Sequence, residues 1–226
     1  MSFTRLFQMI NLSLKSIKNS LTKSLSLTPK PNVSKKALVV IILAALCLVF
    51  IRYLTGFDRL VSFLEVIHLD SLGNYFTELR NNNHDKQLFD LIYWTACRVF
   101  FYLIIPVLVI KIFMKKRMSD FGWRLSDNLN KDLKIFVVFF CFMFPLVFWV
   151  STQDSFLLKY PFYRPASAEQ VFPNLLIWEL FYFLQFVSLE FFFRGFVVHG
   201  LKEEIGDYSV LVMIIPYCMI HFQKPF

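Results

Sequence analysis

No aspartate or glutamate precedes Asp58. The charged side chains before it are all basic: Arg5, Lys15, Lys18, Lys23, Lys30, Lys35, Lys36 and Arg52. One-signed charge of this kind orients a membrane chain by the positive-inside rule. A nucleic-acid partner is not expected, because no aromatic-plus-basic motif accompanies the charge. Cysteine is scarce. Cys47, Cys97, Cys141 and Cys218 each sit in an apolar run, and none belongs to a CxxC or a Cys/His cluster. A zinc knot is therefore not expected, and the four read as small buried hydrophobes. No A-x-A-like site follows the first apolar core, which begins at Ala37. A cleaved signal peptide is therefore not expected, and the first span is expected to insert uncleaved. No internal repeat is visible.

Apolar side chains are abundant. Of 226 residues, 57% are hydrophobic and 29 are phenylalanine, and mean hydropathy is +0.55. A soluble domain of this length has too little interior to hide them. Several runs reach the roughly 20 apolar residues that cross hydrocarbon. The fold class expected is all-α: a polytopic transmembrane helix bundle of about five spans.

Three regions follow. Residues 1–36 are basic and polar, with Phe3, Leu6, Phe7, Ile10, Leu14, Ile17, Leu21 and Leu25 at spacings of three and four. They read either as an amphipathic helix on the membrane surface or as a disordered cytoplasmic tail. Residues 37–114 hold two spans, Ala37–Leu54 and Gln87–Phe113, joined by an amphipathic interfacial stretch and the polar run NNNHDK. Arg98, inside the second span, is expected to pack against a polar group of a neighbouring helix. Residues 115–226 begin with a second basic loop, carrying Lys115, Lys116, Arg117 and Arg124. After two crossings it should share the cytoplasmic side with the N-terminus. Spans at Leu133–Ser151, Trp178–Gly200 and Tyr208–Phe222 complete the region. The short final span, with no polar tail, reads as a core cut short at its C-terminus.

The span Trp178–Gly200 carries Glu179, Glu190, Arg194 and His199. Ionisable groups inside a spanning helix are expensive and mark function by default. Glu190 and Arg194 are four apart and share a helix face. Counting from the turn at Gly206, Glu190 lies 16 residues before it and His221 lies 15 after it. Their depths should match on adjacent helices. Tyr217 falls near the level of Arg194. A carboxylate beside an imidazole can activate water for attack on a carbonyl, with arginine holding the carboxylate. The competing reading is an ion pair that only fixes helix packing, with His221 a satisfied bundle histidine. His199 reads as interfacial, and Glu179 as a solvated residue near the outer end.

LEFFFRGF at 189–196, followed by PYCMIHF at 216–222, resembles the CAAX protease and bacteriocin-processing (CPBP) family of intramembrane endopeptidases, which includes the type II CAAX prenyl proteases. The Gly-Trp-Arg turn at 122–124 is similar to that family's loop. The resemblance implies that Glu190, Arg194 and His221 are catalytic and that Tyr217 stands in a substrate-binding position. It also implies a membrane-associated or prenylated-protein-like peptide as substrate and a divalent metal such as zinc as cofactor. The implied location is the plasma membrane of a bacterium. Leu189 stands where the motif has its first glutamate. A later histidine-containing motif has no counterpart before Phe226. A non-catalytic relative, serving as an immunity, scaffold or chaperone-like protein, therefore remains the alternative.

Overall fold

The structure is a computed structural model that describes residues 34–124, 128–167 and 170–222. The amphipathic stripe expected within residues 1–33 lies outside them. Every regular element among the described residues is helical. Helix α1, Lys35–Leu54, starts where the Ser34 hydroxyl accepts the Ala37 N–H at 3.2 Å. This satisfies one of the donors that a helix N-terminus leaves open. Helices α2, Phe57–Val66, and α3, Asp70–Asn81, form an amphipathic pair where the sequence reads as interfacial. Helix α4 runs over Lys86–Phe113, with Asp85 as N-cap accepting the Leu88 N–H. Helix α5 is Leu129–Ser151, α6 is Val171–Ile205 and α7 is Tyr208–Met219.

Four of these helices, α1, α4, α5 and α6, are long and apolar enough to cross a membrane. The fifth expected span is shorter than its apolar run. Its 12 helical residues rise ~18 Å, less than the ~30 Å of hydrocarbon. His221 and Phe222 lie in a turn beyond its last residue. Helix α5 has no buried residue. Phe136, Phe140 and Phe144 stack along one face at the i,i+4 interval. A surface that apolar matches hydrocarbon and not water.

The bundle core is aromatic. Phe192, Phe193 and Phe196 are fully buried, with Tyr102 of α4, Val40 of α1 and Phe121 of the loop after α4. Tyr102 lies 4.9 Å from Phe192 and 6.0 Å from Phe193, in tilted geometry. Residues Phe191–Val197 are wound as π-helix, with i→i+5 spacing. Rings packed this way make many small dispersion contacts, the main term holding helices together in lipid.

One end of the bundle joins α1, the basic loop and the end of α6. Lys36 pairs with Glu203 at 3.0 Å and lies over the Phe121 ring. The other end is held by Asp85. It accepts from the Tyr163 hydroxyl at 2.6 Å and from Asn174 at 3.2 Å. Burial raises the Asp85 pKa, but the hydrogen bonds from Tyr163, Leu88 and Asn174 outweigh it, and the net shift is downward.

Candidate functional site

Glu190 closes the regular part of α6, and the π-wound turn begins with the next residue. Arg194 Nε donates to Glu190 Oε2 at 2.9 Å. The Tyr217 hydroxyl of α7 donates to the other oxygen, Oε1, at 3.3 Å. One carboxylate is thus held from its own helix and from the next. The Tyr217 ring packs edge-on against Phe193, so the core aromatics carry the phenol to Glu190. The His221 ring lies 4.9 Å from that of Tyr217. Its Nδ1 sits 2.8 Å from the Tyr217 carbonyl oxygen. A carbonyl only accepts, so Nδ1 carries the proton, and in the neutral ring Nε2 keeps its lone pair.

Glu190 and His221 line different cavities. Glu190 and Arg194 border one of about 570 Å³, whose far wall is the loop Phe121–Arg124. His221 and Tyr217 border another of about 270 Å³, with Arg98, Gln185 and Leu189. Adjacent positions on a helix turn by ~100°, so neighbours in sequence face different directions. Leu189 is the residue that faces the histidine side, and it is buried. No direct hydrogen bond joins Glu190 to His221; Tyr217 stands between them.

Three residues of the first cavity were not expected there. His199 Nδ1 donates to the Arg194 carbonyl at 2.8 Å, so His199 supports the charged turn and is not merely interfacial. Trp123 packs edge-on against Phe191 at 5.2 Å, and Arg124 lines the same space. The loop is held close by two glycines. Gly122 has φ +79° and lies against the His199 ring. A Cβ on Gly195 would fall 2.8 Å from the Phe121 carbonyl oxygen. The Gly-Trp-Arg turn and the five-residue step from Arg194 to His199 were the available signals. Neither spacing specifies a docking partner.

Arg98 lines one cavity with Tyr182 and Gln185, polar residues of the neighbouring helix α6. Its guanidinium lies over its own helix's Trp94, 4.0 Å from the ring centroid, and its buried Nε has no hydrogen-bond partner. Glu179 is exposed and borders neither cavity. Among the described residues, no three His, Cys, Asp or Glu side chains converge as a metal site would require. Glu190 and His221 alone fall short of a zinc donor set, so the residues described do not fit a resident zinc ion. No family model matches the chain, and no curated protein and no solved structure matches it.

Proposed function

We propose that this chain is an intramembrane endopeptidase of the CPBP kind, acting on a membrane-associated or lipid-modified peptide. One observation carries the reading: Glu190 is clamped between Arg194 and Tyr217 on two apolar helices, with His221, in the turn after α7, against the same tyrosine. Ionisable groups gathered on apolar spans are costly and by default mark a functional site. In the proposed reaction His221 Nε2 takes a proton from water, and the hydroxide attacks the peptide carbonyl carbon. The C–N bond then breaks, and the proton passes to the leaving amine. Glu190 supplies negative charge that favours the imidazolium through Tyr217, and Arg194 holds Glu190 in place. The shared end of Lys36, the basic loop and Glu203 agrees with an N-terminus on the cytoplasmic side of a bacterial plasma membrane.

A second reading has its own support. Leu189 occupies the face beside His221, where the motif has its first glutamate. A non-catalytic relative of the same architecture would keep the Glu190–Arg194 pair for packing. Processing of a membrane-anchored peptide reporter by the wild-type chain and by Glu190→Gln and His221→Ala separates the two. The peptidase reading expects both variants to lose most turnover while remaining folded and monodisperse. Turnover equal to wild type in both variants overturns the assignment of Glu190 and His221, and none in wild type across a broad panel of anchored peptides supports the non-catalytic reading.

A further inference from the structure

Arg98 lies within the apolar span α4, where an unpaired charge is costly. Among the described residues it has no ion pair and no hydrogen bond. It faces a second cavity on the side away from Leu189, about 590 Å³ in volume, between α1, α2, α4 and α7. Arg52 from the end of α1 and Arg59 from α2 line the same cavity. No acidic residue lines it. The nearby carboxylates are already engaged: Arg80 pairs with Asp90 at 2.6 Å and with Asp58 at 3.4 Å.

Three guanidinium groups around one space repel each other, and lipid hydrocarbon supplies no counter-charge. The wall opposite them is apolar, with Leu48, Met219 and Ile220. A ligand that offsets the charge and wets the wall carries a compact anion on an apolar chain. Guanidinium groups present rigid forks that match phosphate oxygens. We propose that this cavity binds the phosphate of an anionic amphiphile, with Arg52, Arg59 and Arg98 on the headgroup and the chain along Leu48 and Met219. The apolar wall of Leu48, Met219 and Ile220 makes a lipid, and not a soluble phosphate, the source. The site is independent of peptidase activity.

The test is native mass spectrometry of the full chain in detergent, titrated with dioleoyl phosphatidylglycerol and, separately, dioleoyl phosphatidylcholine. Wild type is expected to retain the first over the second. Arg52→Gln/Arg59→Gln, at exposed positions, and Arg98→Gln should each weaken retention by about tenfold or more. Lys115→Gln/Lys116→Gln, at the other end of the bundle, should leave it unchanged. Excess inorganic phosphate should not displace the lipid. Two results overturn the proposal: wild-type retention in the double arginine variant, or an equal loss in the lysine variant. Displacement by inorganic phosphate with the same arginine dependence overturns the lipid assignment.

Discussion

Gly195→Ala perturbs the contact that holds the Phe121–Arg124 loop against the charged turn of α6. The new Cβ would stand 2.8 Å from the Phe121 carbonyl oxygen and 2.9 Å from a carbon of the Phe191 ring. Ordinary contact begins at 3.4 Å, so the loop must retreat by roughly half an ångström or the rings must repack. Retreat is resisted. Phe121 is fully buried, stacks on Phe196 and lies under the Lys36 ammonium. Overpacking of this kind costs about 1–3 kcal/mol, which at ~2–4 °C per kcal/mol lowers Tm by roughly 2–12 °C. Gly73→Ala supplies the contrast. Its Cβ would meet nothing closer than 3.7 Å, and it sits within helix α3. Alanine there should stabilise by about 0.4–1 kcal/mol through the unfolded chain. The assay is thermal unfolding in detergent, together with the rate of tryptic cleavage at Lys115–Arg117. Gly195→Ala should melt lower and be cut faster. A Tm equal to wild type, or a loss as large in Gly73→Ala, would refute the close approach as the reason for glycine at 195.

Three further outcomes are expected. Arg80→Gln leaves Asp90, whose Oδ1 is already buried without a partner, with no cation. The half-exposed pairing should be worth about 1–2 kcal/mol, and Asp90→Asn in the same chain should restore part of it in a double-mutant cycle. Asp85 has a folded pKa below its ordinary value of 3.8, so its hydrogen bonds stabilise the fold above that pH and are lost as pH falls through the lowered value. The stability difference between wild type and Asp85→Asn should therefore shrink on acidification below that value; a constant difference would sink this account of the Tyr163 and Asn174 contacts. Leu189→Glu puts a carboxylate on the cavity that holds both His221 and the unpaired Arg98. On the proposed peptidase reading, with a glutamate at 189 limiting turnover, this variant should process an anchored peptide faster than wild type. A folded variant with unchanged turnover would argue that position 189 is not the missing base.

Much of the site was legible because it depended on one helix. Glu190 and Arg194 meet at the i,i+4 interval whatever surrounds them, and they do meet. Tyr217 and His221 were legible as residues at a matching level on the next helix. Which groups of neighbouring helices touch was not. The phenol reaches Glu190 while the imidazole stays on the Leu189 side, because α7 ends at Met219 and leaves His221 in a turn. His199 could not be assigned a partner for the same reason. Its environment is a loop more than 70 residues earlier in the chain, docked through Gly122 and Gly195.

By itself, the order of residues determined that the chain is helical and membrane-embedded. Unbroken apolar runs of spanning length have no other stable solution, because every backbone polar group in hydrocarbon must bond within its own helix. It also determined which span carries the charged pair. Tertiary structure alone decided that Leu189 and Glu190 serve different cavities. It also decided that Arg98 meets no acid, and that Arg52, Arg59 and Arg98 surround one space. Those facts depend on the rotation and approach of packed helices. These are set by aromatic side chains such as Tyr102, Phe192 and Phe193, contributed by segments far apart in the chain.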